Sequence, residues 1–192
     1  MSFYSYRNGE SDVCPGRISG DCTNGLTERV CIQVKKIYDS CMQQEQLDNI
    51  NVKLTDICPG NTKFEAPVTF ISCRSTSTKG RIRDLCIDRI CDRPNFARVR
   101  CKVDIPVEIL FEDNCGKEGS GRGVITVAKD VVLFVPDESI IPFEVDNIVS
   151  AICVMGCYVG DNTFALTACV TIILKIVADV ELLVPAYGFC KI

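Results

Sequence analysis

The chain has 192 residues, with 21 Lys and Arg against 25 Asp and Glu, a net charge of −4, 14 cysteines and no histidine. The acidic balance and the lack of a dense Lys/Arg run argue against nucleic acid as a partner. The missing imidazole removes the Ser-His-Asp and Cys-His hydrolytic arrangements, the usual general base and every mixed Cys/His zinc site.

A chain of this length buries roughly 70% of its unfolded surface, so folding does not require disulfides and the cysteine surplus asks for another purpose. Residues 1–26 are polar and punctuated by Gly9, Pro15, Gly16, Gly20 and Gly25. They read as an extended N-terminal arm that carries Cys14 and Cys22. The first residues, MSFYSYRNGE, have no apolar h-region, so synthesis without a secretory signal peptide is expected. That creates a tension. Cysteine in a reducing compartment usually serves metal or redox chemistry, whereas a disulfide framework needs an oxidising one.

From Thr27 onward the pattern is that of strands. In ERVCIQVKKIYDSC (28–41), Ile32 and Val34 oppose Gln33 and Lys35. QLDNINVKLTDIC (46–58) puts Ile50, Val52 and Leu54 on one face, and KFEAPVTFISC (63–73) does so with Val68, Phe70 and Ser72. Residues 74–96, RSTSTKGRIRDLCIDRICDRPNF, are the most charged stretch. There Ile82, Leu85, Cys86 and Ile90 lie near helical spacing, which suggests a short helix or a long loop ended by Arg93-Pro94.

Alternation returns in RCKVDIPVEILFEDNC (100–115), where Pro106 argues for an edge strand or a bulge. GKEGSGRG (116–123) reads as a flexible link; it lacks the Lys-Ser/Thr of a phosphate loop. VITVAKDVVLFVP (124–136) and FEVDNIVSAICVMGC (143–157) are further strands, and a hairpin is expected around Gly160-Asp161-Asn162. In the last strand, Ile172, Leu174, Ile176, Ala178, Val180, Leu182 and Val184 are the apolar even positions. The odd positions mix Thr171, Lys175, Asp179 and Glu181 with Ile173, Val177 and Leu183. A membrane helix needs about 20 mostly uncharged apolar residues, so three charges in this segment exclude one. Ile173, Val177 and Leu183 are the candidates for an assembly face. The expected fold over residues 27–192 is all-β: an antiparallel sandwich, jelly-roll-like, preceded by the arm.

No catalytic constellation emerges, so no enzymatic activity, cofactor or metal is expected. Asp104, Glu108 and Glu112 share a polar strand face, and Asp113, Asp161 and Asn162 read as turn chemistry. There is no CxxC, which removes thioredoxin-type and zinc-ribbon spacing. Three uses remain for the cysteines. One is a thiolate metal cluster. Another is inert burial, assigned to Cys169 on the apolar face of its strand. The third is covalent cross-linking. An arm with two cysteines can reach a neighbour, and strand addition at an exposed edge would align the sulfurs, so Cys14 and Cys22 are the intermolecular candidates. The other disulfide candidates are Cys31, Cys41, Cys58, Cys73, Cys86, Cys91, Cys101, Cys115, Cys153, Cys157 and Cys190. Cys153 and Cys157 would share a strand face about 13 Å apart, too far to bond unless Gly156 makes a bend.

The stretches CKVDIPVEILFEDNCGKEGSGRGVITVAKDVVLFVPDESIIPFEVDNIVSAICV and CVTIILKIVADVELLVPAYGFC resemble the cysteine-rich endospore surface proteins of clostridium-type bacteria: exosporium or coat lattice proteins and spore-appendage subunits. The resemblance spans roughly residues 27–192 and rests on VDIPVEILFED, ELLVPAYGFC and cysteine placement rather than on a catalytic motif. It implies a structural protein that self-assembles into a disulfide-cross-linked array, ring stack or filament, with itself and other spore-surface proteins as partners. It also implies location on the spore surface, with synthesis in the mother cell and later oxidation, and a role for Cys14 and Cys22 in inter-subunit bonds. The other reading is a non-catalytic binding module, either a thiolate metal site or a cell-wall glycan site. No Trp and five Tyr offer little for glycan stacking. A capsid-like jelly roll shares the assembly physics without needing this much cysteine.

Overall fold

A computed structural model describes residues 28–60, 64, 66–137 and 142–186. Its regular secondary structure is entirely β: β1 (Glu28–Lys53), β2 (Thr55–Cys58), β3 (Thr69–Ser75), β4 (Arg81–Ile90), β5 (Arg93–Glu112), β6 (Glu118–Phe134), β7 (Glu144–Gly160) and β8 (Thr163–Ala186). The hydrogen-bonded order is β1-β8-β7-β3-β5-β6-β2, with β4 paired to β5 off that path. The chain divides into two compact units, residues 35–179 and a second formed by the first 34 and last 13 residues. The division falls inside β1 and β8, and the expected arm, residues 1–26, lies outside the described residues. Of the second unit, residues 28–34 and 180–186 are described.

Residues 35–179 form an antiparallel sandwich. β3 joins its two halves, with six register pairs to β5 and two to β7. The core follows strand alternation. In β5, Val99, Val103, Ile105, Val107 and Ile109 are fully buried, while Arg98, Arg100 and Lys102 point outward. In β8, the even positions from Phe164 to Ile176 face inward. Fully burying each large aliphatic side chain contributes about 1.5–3 kcal/mol, so these rows dominate the stability of the fold. The halves meet through Phe111 and Phe164, whose ring centroids are 5.7 Å apart, and through the Leu54 N–H donating to the Asn162 carbonyl at 2.7 Å. At the β7–β8 hairpin, Asp161 and Asn162 both have positive φ (48° and 54°) between the paired Gly160 and Thr163. That is the two-residue turn whose twist suits a hairpin.

Four expectations from the sequence change here. First, residues 74–96 hold no helix: β4 runs over 81–90 and turns into β5 at Arg93. Asp84 has φ +53° and the register shifts between Arg83 and Cys86, so the alternation breaks and the apolar residues fall at near-helical intervals. Second, the supposed link 116–123 is mostly strand. Gly119, Gly121 and Gly123 lie on the inner face of β6, where a Cβ on Gly121 would come within 2.7 Å of Leu54 Cδ1. These glycines make room for packing rather than for flexibility. Third, β1 is one continuous strand through 42–45, where a break was expected. Fourth, Pro106 is in a central strand. Partners along that edge of β5 change from β3 (Ser75 opposite Val107) to β4 (Arg81 opposite Asp104), and Pro106 falls in the gap, where no ladder N–H is required. Its carbonyl still accepts from the Thr76 N–H at 3.0 Å.

Candidate assembly surface and thiol positions

Antiparallel register decides what the outer face of β7 and β8 displays. Ile148 stands opposite Ile173, Ser150 opposite Thr171 and Ile152 opposite Cys169. A bulge between Cys153 and Met155 then turns both Val154 and Met155 outward. Ile152, Val154 and Met155 are 59%, 58% and 65% exposed, and Ile71 of β3 is exposed as well. Ile71, Val154, Met155, Cys157 and Thr167 line one shallow depression on this unit. The result is a strip of large apolar side chains in water with the exposed Cys169 and Cys157 among them.

The three assembly-face candidates separate. Ile173 lies on this outer face, half-buried. Val177 is 1% exposed and belongs to the interior, because Ile176, Val177 and Ala178 are buried in succession where the alternation of β8 lapses. Leu183 is exposed but belongs to the smaller unit. There the even positions cease to be a core face: Leu182 is also exposed, and Val180 and Val184 are half-buried. The sequence reading missed Ile148, Ile152 and Val154. Their signal is apolar residues in both phases of FEVDNIVSAICVMGC, one row for the core and one for the surface.

The cysteines fall into three environments. Cys31, Cys58, Cys86, Cys91, Cys115, Cys157 and Cys169 are exposed, Cys41 is half-buried, and Cys73, Cys101 and Cys153 are buried. Cys14, Cys22 and Cys190 lie outside the described residues. Cys169, expected on the apolar face, occupies an odd position and faces outward. Cys153 and Cys157 do not share a face, because the bulge between them inverts the phase of β7. The environments of the exposed thiols vary. Arg100 Nη2 donates to Cys86 Sγ at 3.7 Å, and Cys86 Sγ approaches Asp88 Oδ1 at 3.5 Å. In the smaller unit, Cys31 Sγ lies 3.9 Å from Glu181 Oε2. Cys115 sits in a tight turn where Asp113 Oδ1 accepts the N–H groups of Cys115 and Lys117, each at 2.9 Å. Buried Cys73 stands directly opposite Cys153. The hydrogen bond with the Cys153 thiol, reinforced by burial, holds the Cys73 thiol far above its ordinary pKa.

Among the described residues three polar ones are buried, Asp113, Lys129 and Asn147, and of these Lys129 carries a cation into the sandwich. Lys129 of β6 has a side chain only 2% exposed, and its Nζ is 3.7 Å from Glu45 Oε1 on β1. Gln43 Nε2 donates to the other oxygen of Glu45 at 3.3 Å. Burial pushes the Lys129 ammonium below its usual pKa, partly offset by Glu45 and by nearby Cys41 and Cys101. Burial likewise raises the Cys101 thiol, which the Lys129 charge opposes. Among the described residues, no group of three or more Cys, Asp or Glu side chains is arranged to hold a metal ion.

Two of the carboxylates singled out from sequence, Asp104 and Asp161, form side-chain ion pairs. Asp104 accepts from Arg83 Nη2 and from Thr126 Oγ1, each at 2.7 Å, and Asp161 pairs with Lys53 at 2.8 Å. A separate cleft of about 430 Å³ is lined mainly by apolar side chains, among them Leu54, Ile57, Phe64, Phe111 and Tyr158. Its rings pack on one another, with Phe64 and Phe111 edge-to-face at 4.9 Å. No protein-family model, curated protein or solved structure matches this chain.

Proposed function

We propose that this chain is a structural protein that self-associates and is then locked by disulfides into an array, ring stack or filament on the spore surface. The observation that carries the reading is the outer face of β7 and β8, where Ile148, Ile152, Val154 and Met155 stand in water around Cys169. Contiguous exposed apolar surface marks an interaction site, and a second copy of the same chain is the simplest occupant. The seven exposed thiols among the described residues then supply cross-links between copies, a use that folding leaves open to them. Spore location follows from the resemblance of residues 27–192 to endospore surface proteins, which also reconciles many thiols with a reducing site of synthesis. Cys14 and Cys22 remain the proposed arm cross-links.

The test is electron microscopy of the purified protein after air oxidation, beside a reduced and alkylated sample. The expected result is ordered rings, sheets or filaments that survive boiling only when oxidised. Monodisperse monomers in both samples would overturn the proposal and favour a binding module.

A further inference from the structure

Among the described strand pairs, one sets cysteine against cysteine: Cys73 of β3 and Cys153 of β7. Directly opposed residues in an antiparallel pair have Cα atoms about 4.5–5.5 Å apart, inside the roughly 4.4–6.8 Å span of a disulfide. Both side chains point into the core, 2% and 7% exposed, so neither is available to another subunit. They lie where β3 meets β7 through only two register pairs, while six bind β3 to β5.

We infer that Cys73 and Cys153 are the site of an intrachain disulfide that fastens β3 to β7, separate in place and purpose from the exposed thiols. The oxidant is a small-molecule disulfide of the glutathione class. One cysteine thiolate attacks its S–S bond, forming a mixed disulfide and releasing one small thiol. The second cysteine sulfur displaces the other half. Two protein thiols and one small disulfide become one protein disulfide and two small thiols, which carry away both protons. The attacking species is a thiolate that must meet the small disulfide, and in the closed sheet both sulfurs are buried, out of its reach. The bond therefore forms as the sheet closes during folding, not in the closed, reduced protein. It ties off residues 74–152, a loop long enough for cross-linking to restrict the unfolded chain strongly.

The experiment refolds the full-length chain from reduced denaturant in reduced and oxidised glutathione. The monomer is then denatured, alkylated, digested and analysed by mass spectrometry. Trypsin isolates Cys73 in residues 64–74 but leaves Cys153 with Cys157 and Cys169 in residues 130–175. A Cys157→Ser, Cys169→Ser variant, altered only at exposed positions, removes that ambiguity. The expected result is residues 64–74 joined to 130–175. Melting should be on the order of 10 °C above that of a Cys73→Ala, Cys153→Ala variant refolded in the same way. Recovery of both cysteines alkylated, or of Cys73 joined to any other residue, would overturn the inference. Polymers without this bond would refute it and leave the assembly proposal standing; the bond in a protein that never polymerises would do the reverse.

Discussion

Lys129 is the residue most out of keeping with its surroundings. Along β6 the inner row reads Ile125, Val127, Lys129, Val131, Leu133, so an ammonium occupies a position that alternation reserves for a hydrocarbon. A buried ion pair recovers its desolvation cost only with good geometry, and Glu45 stands 3.7 Å away rather than at contact distance. Replacing both, with Lys129→Met and Glu45→Leu, should therefore stabilise the reduced protein by about 1–3 kcal/mol in urea unfolding. Glu45→Leu alone should destabilise it by about 3 kcal/mol, because the cation is left unpaired. The pH dependence has a definite sign. Lys129 has a folded pKa below its unfolded value, so between the two the unfolded chain holds the extra proton and the group's contribution rises with pH. The advantage of the double variant should narrow from pH 7 towards the ordinary lysine pKa; an advantage that stays constant would show that Lys129 does not titrate there. The misplaced lysine is legible in the sequence, since its row is otherwise apolar. Its partner is not, because Glu45 meets it across the sandwich. Cys73 opposite Cys153 was hidden in the same way: bulges in both β3 and β7 shift the phase that would have to be counted.

At the scale of elements, the long core strands β5 to β8 could be read from alternation, and β4 could not. Both faces of β4 are largely in water, so no apolar row marks it, and the kink at Asp84 spaces its few apolar side chains like a helix. Exposed ion pairs add to the backbone ladder that ties β4 to β5. Arg83 pairs with Asp104, Lys102 with Asp84, and Arg100 with Asp88. Hydrogen bonds from these cations hold all three carboxyls below the usual carboxylate range. A depressed carboxyl pKa gives stabilisation that is present above the unfolded value of about 4 and lost as pH falls through the folded value. Amide exchange protection across residues 81–90 should accordingly drop below about pH 4, after correction for intrinsic rates, while the buried centre of β5 stays protected. Equal protection of β4 at pH 6 and pH 3 would mean that the backbone ladder alone retains it. Asp104→Asn should reproduce part of the loss at neutral pH, since Asp104 serves both Arg83 and Thr126.

At the scale of the molecule, the question is what covers the outer face of β7 and β8. A solvated sheet face normally alternates polar residues against a buried apolar row, but here the outward row includes Ile148, Ile152, Val154 and Met155. A charge placed among them separates association from folding. Ile152 is 59% exposed, so Ile152→Lys should alter monomer stability by no more than about 0.5 kcal/mol. In a face packed against another copy, the same ammonium would be buried without a partner, at a cost of several kcal/mol, and each 1.4 kcal/mol is about tenfold in affinity. Under reducing conditions, where no disulfide can hold copies together, light scattering should find wild-type protein associating at concentrations where Ile152→Lys remains monomeric. Cys169→Ser should behave differently, because it sits opposite Ile152 yet removes only a thiol. Association should persist in the reduced protein, with fewer oxidised assemblies surviving boiling. If Ile152→Lys associates like wild type, this face is not the contact and the exposed row needs another occupant. If it remains monomeric while Cys169→Ser still associates, apolar burial brings the copies together and oxidation follows, which fits a chain made reduced and hardened later.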